Sequence, residues 1–238
     1  MEINNETQGA LGLTVYPLVS AWGFGPARKL KMDQAKVDSI LQYVGMQKIS
    51  IEGRKMIKDL PGIKIDVNSI AQSYSVDVMY HYFETLGIKN FVVEIGGDVR
   101  TKGKNPTGGI WRVGVDKPDE GYSKLGENLQ TVILIDNKAI TTSGNYWKFF
   151  EEDGRKFSHI IDPHTGYPYN SSLLSVTVIA KDALTADGYD TPLMVPGLEG
   201  ARAVLKRHPE LEAYMIYADE NGQFQIEYTK GIQFDKEN

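Results

Sequence analysis

The chain contains no cysteine. Disulfide scaffolds, thiolate metal sites, cysteine nucleophiles and iron–sulfur ligation by its own side chains are thereby excluded. It also lacks any run of the roughly 20 apolar residues that a membrane-spanning helix needs. Its first residues, Met1-Glu2-Ile3-Asn4-Asn5-Glu6, are polar and acidic, unlike an export or lipoprotein signal. An excess of positive charge is missing too. Lys and Arg number 26 against 31 Asp and Glu, a net charge of −5. No basic field draws the chain to nucleic acid, so none is expected as a partner. Internal repeats, low-complexity tracts and long charge blocks are absent as well, and nothing in the sequence assigns a compartment.

What is present is the ordinary composition of a globular protein, 238 residues with 41% hydrophobic and 24% charged. That length fits one large domain over residues 1–238. Residues 33–44 place Val37, Ile40, Leu41 and Val44 at helical spacing before Gly45. Residues 63–67 alternate like a strand, and Asn68 offers a helix cap. Ile70, Tyr74, Val78 and Tyr82 then recur every fourth residue, predicting a helix that Gly87 closes. Strand-like runs follow at 91–95, 111–115, 131–135, 157–161 and 174–180. Helices are expected from Asp182 towards Gly197 and from Gly200 to His208. Residues 213–217 and 223–228 flank Asn221-Gly222, a hairpin signal. Many irregularly spaced strands with interspersed helices predict an α+β or mixed α/β fold, not a regular doubly wound sheet.

Several residues are able to carry chemistry. Asp187 and Thr191 stand four apart, which on a helix puts a carboxylate and a hydroxyl on one face. Such an oxygen pair suits a hard cation such as Mg²⁺, although it also describes an ordinary solvated face. His159 and Asp162 lie where a strand runs into a Pro/Gly turn. Histidine is suited to proton transfer near neutral pH, while Asp162 is equally a good turn former. The helix start after Asp66 offers free N–H groups to a phosphate, without a Walker loop or GxGxxG to support it. Gly96-Gly97-Asp98 and the run from Thr142 to Tyr146 read as tight turns after strands, where small residues let a flat ligand approach the backbone. Tyr16, Trp22 and Phe24 offer rings for stacking or for a core.

Seven segments, in this order, carry a resemblance: 14–25 (TVYPLVSAWGFG), 65–77 (IDVNSIAQSYSVD), 94–98 (EIGGD), 142–146 (TSGNY), 158–166 (SHIIDPHTG), 175–180 (SVTVIA) and 186–191 (ADGYDT). Together they resemble the FAD:protein FMN transferases, the ApbE family of flavin transferases, from about residue 9 onward. The resemblance implies mixed and antiparallel sheets with packed helices, a T-fold-like architecture. It implies that FAD is the substrate and that Mg²⁺ or Mn²⁺ is required. A threonine or serine hydroxyl of an acceptor flavoprotein attacks the FMN phosphorus, and AMP leaves. By the same resemblance the acceptors are expected to be respiratory redox subunits, and full-length members are often extracytoplasmic and membrane-associated. By the same resemblance Asp187, Thr191 and the main-chain carbonyl of Ser69 bind the metal, and His159 is the catalytic histidine. Asp66, Ser69 and Gln72 belong to the pyrophosphate region, and Glu94, Gly96, Gly97, Asp98, Thr142, Ser143, Gly144 and Asp162 to the flavin and phosphate surroundings.

The chain departs from the family pattern at three places. Where relatives read Ala-Ile-Ala-Lys-Gly it reads Ser69-Ile70-Ala71-Gln72-Ser73, so Gln72 replaces a lysine that would face the phosphates. Glutamine donates hydrogen bonds but adds no charge, and Lys64 or Arg100 is a candidate to replace it. Gly188, Tyr189 and Asp190 stand between the metal residues, so Asp190 adds a carboxylate beside the site. The chain also begins inside the family pattern, without the opening strand and part of the adenine-binding surface, from which weaker FAD binding is expected. Two other readings share these residues: an FAD pyrophosphatase yielding FMN and AMP, and a flavin-binding protein without turnover.

Overall fold

The computed structural model describes residues 1–26, 28–118, 126–146, 149–152, 155–169 and 171–235. In chain order come helices α1 (Glu2–Glu6), α2 (Tyr16–Ala21) and α3 (Gln34–Leu41), strands β1 (Ile49–Glu52) and β2 (Lys55–Lys58), and helix α4 (Ala71–Thr85). Strands β3 (Phe91–Ile95), β4 (Asp98–Lys102), β5 (Trp111–Asp116), β6 (Leu129–Ile135), β7 (Ala139–Gly144), β8 (Phe149–Glu152), β9 (Arg155–Ser158) and β10 (Leu173–Ala180) follow. Helices α5 (Ala183–Met194) and α6 (Gly197–Arg207) precede strands β11 (Glu212–Ala218) and β12 (Phe224–Tyr228). Two compact units hold them: Met1–Ser69 with Lys148–Ser171, and Ile70–Trp147 with Ser172–Asn238. Among the described residues no helix is long and apolar enough to cross a membrane.

In the first unit Asp33 caps α3, its carboxylate accepting the Lys36 N–H at 2.8 Å. The buried Val37 of α3 joins Leu18, Trp22, Val44 and Ile161 in one apolar cluster. Trp22 stacks on Phe157 and donates its ring N–H to the Gly166 carbonyl at 2.8 Å, so this ring belongs to the core. Residues 63–67 form no strand, against the alternation. Among the described residues the hairpin β1–β2 pairs only with itself and no strand pairs with 63–67, and the alternation records Ile63 buried with Met46 and Ile49. Nor does Asn68 cap a helix. Its N–H donates to Asp66 Oδ1 at 2.9 Å, an Asx turn that holds the chain out of α-geometry. Helix α4 therefore starts at Ala71. The strand expected at 157–161 ends as β9 at Ser158, with Ile161 making only an isolated bridge to Pro168.

The second unit is built on a six-stranded sheet in the order β12-β11-β10-β7-β4-β3, every neighbouring pair antiparallel. The Asn221-Gly222 turn joins β11 to β12 as the sequence predicts. Side chains alternate across the sheet. One set (Val99, Ile140, Ile179, Ile216) packs with Val115, Ile133 and Ile135 of the hairpin β5–β6. The other faces the helices: Val76 and Tyr80 of α4 and Ala183 of α5 pack with Phe91, Val93 and Ala139. The helix around 71–85 is where expected, but Tyr74, Val78 and Tyr82 are 60%, 47% and 54% exposed. Its inner face carries Ser73, Asp77 and Glu84, which meet Asp98, Arg100 and Lys102 of β4 rung by rung. Val76, Tyr80 and Phe83 give that face its own apolar spacing, offset from the one read in the sequence and interleaved with these polar residues.

Candidate active site

In the second unit, helix α5 starts at Asp182, whose carboxylate accepts the Thr185 N–H at 2.8 Å. Asp77 of α4 caps the same end, accepting the N–H groups of Ala183 and Leu184 at 3.0 and 2.9 Å. Arg100 pairs with Asp77 at 2.7 Å and lies 3.8 Å over the Tyr80 ring. Arg100 is thus a strut between helix and sheet and not a substitute for a charge at Gln72. One turn along α5 stands Asp187, and Thr191 follows on the same face, its hydroxyl 2.9 Å from that of Ser143 on β7. Asp98 reaches the cluster from β4. The two-residue turn Gly96-Gly97 joins β3 to β4 with both φ values positive, 62° and 100°, which glycine adopts without strain. Ser73 of α4 donates its hydroxyl to Asp98 Oδ2 at 2.7 Å.

These carboxylates oppose one another. Burial raises the pKa of Asp98, partly offset by the Ser73 hydroxyl. Burial, and then the charge of Asp98, push Asp187 up to about 7. Asp190 is 2% exposed, and burial with the Asp187 charge holds it well above the ordinary carboxylate range. Among the described residues no group of three or more His, Asp or Glu is placed to hold a metal ion by itself. Mg²⁺ does not require one, because it binds through one or two carboxylates together with waters and substrate phosphates. Oxygen donors only, with carboxylates whose pKa values burial raises, fit such a cation.

The structure brings Asp98, Ser143, Asp187 and Thr191 to the helix-covered face of the sheet. Gln72 lies over the glycine turn: a Cβ on Gly96 would stand 1.8 Å from its side-chain nitrogen. Thr142 and Glu94 are on the opposite face. The segment 142–144 is the end of β7 and not a turn, so Thr142 and Ser143 point to opposite sides. Thr142 bonds Thr177 at 2.8 Å, and Glu94, exposed, pairs in register with Val99. Gly144 makes room for the Tyr146 ring, 2.5 Å from where a Cβ would be. Ser73 went unread in the sequence. Its four-residue spacing to Asp77, matched to the two-residue spacing of Asp98 and Arg100, is the signal that would have found it.

Asp66, Ser69, His159 and Asp162 belong to the first unit. Asp66, with Tyr16, Lys58, Lys64 and Asn68, lines a cavity of about 430 Å³ in which Lys64 stands over the Tyr16 ring at 5.4 Å. Ser69 is exposed in the turn before α4. His159 follows directly on β9, half-buried, edge-on to Phe24 with ring centroids 6.3 Å apart. Asp162 engages its own turn, accepting the His164 N–H at 2.8 Å and the Thr165 hydroxyl at 3.0 Å.

Comparison with known proteins gives one answer. The model of the ApbE family matches residues 1–215. A Vibrio cholerae protein named FAD:protein FMN transferase is 40% identical over 226 residues, which cover 93% of this chain and 66% of the relative. One of the same name from Escherichia coli K12 is 37% identical over 222 residues, covering 91% and 62%. The solved structure of the flavin transferase ApbE from Vibrio cholerae superposes with a TM-score of 0.85 at 38% identity, over 96% of this chain and 72% of that one. The apo form of the Pseudomonas stutzeri flavinyl transferase ApbE gives 0.84 at 33% identity, over 96% and 70%. The chain spans slightly under two thirds of the length of these curated relatives. Motif order, antiparallel architecture and matched family model agree, and the chain belongs to the ApbE family.

Proposed function

We propose that the chain transfers the FMN moiety of FAD to a threonine or serine hydroxyl of an acceptor protein and releases AMP. The family supports the reaction class, and one observation carries the site: Asp187 and Thr191 share a face of α5 beside Asp98 and Ser143. In this reading Asp187 and Thr191, with the Ser69 carbonyl, hold Mg²⁺ or Mn²⁺. A bound divalent cation neutralises pyrophosphate oxygens and steadies the leaving group. Gln72 and the amides of the Gly96-Gly97 turn supply neutral hydrogen-bond donors to the phosphates, and the family resemblance assigns Asp66 to the pyrophosphate as well. His159 takes the proton of the acceptor hydroxyl as its oxygen bonds to the FMN phosphorus. The bond from that phosphorus to the bridging oxygen breaks, and the oxygen leaves on AMP. Phosphoryl transfer of this kind is mostly positioning and electrostatics, which suits a rigid carboxylate cluster on packed elements.

The acceptor class is a redox subunit of a respiratory enzyme with an exposed threonine or serine. Incubation with FAD, Mg²⁺ and such a domain, followed by intact-mass spectrometry, tests the reading. An acceptor heavier by one FMN phosphoester, with AMP in solution, is the expected result. Free FMN and AMP with an unmodified acceptor would make the chain a pyrophosphatase, and unchanged FAD would leave flavin binding alone.

A further inference from the structure

Strand β12 is an edge of the six-stranded sheet, bonded on one side to β11 and, among the described residues, to no strand on the other. At one end of this pairing the Asp219 N–H donates to the Gln223 carbonyl at 2.9 Å, and at the other the Thr229 N–H donates to the Ala213 carbonyl at 3.0 Å. Both end pairs are therefore of the hydrogen-bonded kind, which in an antiparallel ladder recurs at every second residue. Gln225 and Glu227 accordingly bond inward to β11, while the N–H and C=O groups of Phe224, Ile226 and Tyr228 point away from the sheet. The same three residues carry exposed apolar side chains, on the face where Tyr214 and Ile216 belong to the core. Such an edge is a template for another strand, and the usual protections are missing. β12 contains no lysine or proline, and its register with β11 has no shift. Its one charge, Glu227, is held by Arg202 of α6.

We propose that β12 pairs antiparallel with the β12 of a second copy of this chain, about a two-fold axis at Ile226, joining two six-stranded sheets into one. A two-fold interface must be complementary to itself. Here Ile226 meets its own counterpart, Phe224 meets the partner's Tyr228, and Gln225 meets the partner's Glu227. Rings oppose rings, no like charges meet, and every outward N–H has a carbonyl opposite it. The pairing concerns β12 alone and does not depend on the reaction proposed above.

Analytical ultracentrifugation of the whole chain at about 1–100 µM reads micromolar affinities. The wild type is expected to pass from the mass of one chain to that of two across this range. Ile226→Lys sets two ammonium groups against each other at the axis and takes two apolar side chains out of the contact. It is expected to weaken the dimer at least about 10-fold. The residue is exposed, so circular dichroism and melting temperature are expected to match the wild type. A second measurement reads the register and does not need the lysine variant to fold. The chain has no cysteine, so Ile226→Cys carries a single thiol. At the axis its Cα would stand about 5.5 Å from its counterpart, within the span of a disulfide. With copper phenanthroline as oxidant, Ile226→Cys is expected to link into a covalent dimer faster than Leu86→Cys, another exposed position of the same unit. A wild type that stays monomeric throughout would overturn the pairing and leave the edge to a strand of some other protein. A dimer that Ile226→Lys leaves intact, or equal linkage of the two thiols, would overturn it as well.

Discussion

At the scale of single residues, Asp187 and Thr191 of the proposed cation site differ in charge. A carboxylate interacts with a divalent cation more strongly than a neutral hydroxyl does. Asp187→Asn is accordingly expected to remove metal-dependent flavin transfer, with Thr191→Val giving a smaller loss. Steady-state rates against Mg²⁺ concentration check the ranking, and a larger loss for Thr191→Val would reverse it. The role proposed for His159 is proton transfer. His159→Ala is expected to bind FAD normally while transfer falls by roughly 10²–10⁴; a collapse in FAD affinity by titration would make it a binding residue. Gln72 lies on the Gly96 turn without a charge to offset phosphate. Gln72→Lys should therefore make FAD affinity less dependent on Mg²⁺. Equal metal dependence in both proteins would place residue 72 away from the phosphates. These residues were legible as a set because motif order identifies the family. Their grouping was not, because Thr142 and Ser143 adjoin in sequence and yet take opposite faces of β7.

At the scale of elements, the site depends on how α5 is anchored. Asp77 receives two N–H groups at the start of α5 and the guanidinium of Arg100, whose side chain is 11% exposed. Asp77→Ala leaves that cation buried and unpaired and takes the acceptor from two N–H groups at the helix start, where Asp182 remains. A cost of roughly 3–5 kcal/mol is expected, read from urea unfolding. Asp77→Asn keeps an acceptor for the helix amides and should cost less, and a loss below about 1 kcal/mol for the alanine would discount the strut. The same region shows why periodicity was an incomplete guide. Tyr74, Val78 and Tyr82 marked a helix correctly, but the face that packs is the one bearing Ser73, Asp77, Tyr80 and Glu84. Val76, Tyr80 and Phe83 supply its apolar spacing, and ion pairs and a cation over the Tyr80 ring are interleaved with them. Asp66 likewise turned a strand-and-cap reading into an Asx turn, through one hydrogen bond to Asn68.

For the molecule as a whole, the crowded carboxylates link stability to pH and, at the proposed cation site, to metal. Asp187 keeps its proton in the folded state up to about pH 7, whereas the unfolded chain releases it near 3.8. Unfolding thus releases a proton between those values, so stability falls as pH rises through that window and levels off above it. A divalent cation favours the ionised form and offsets this loss. Added Mg²⁺ is therefore expected to raise the melting temperature more at about pH 8 than at about pH 5.5. Equal shifts at both pH values, or none, would count against cation binding at Asp187. The sequence by itself determined the family, the α+β class, the pairing of Asp187 with Thr191 on one helix face and the Asn221-Gly222 hairpin. Each of these is local: an order of motifs, a composition, a four-residue spacing, a turn type. Only the tertiary structure decided that Asp98 faces Ser73, that Arg100 belongs to Asp77, and that Glu94 and Thr142 lie across the sheet from Asp187. Those outcomes depend on strand register and on which helix face meets the sheet, and both are fixed by contacts between segments far apart in the chain.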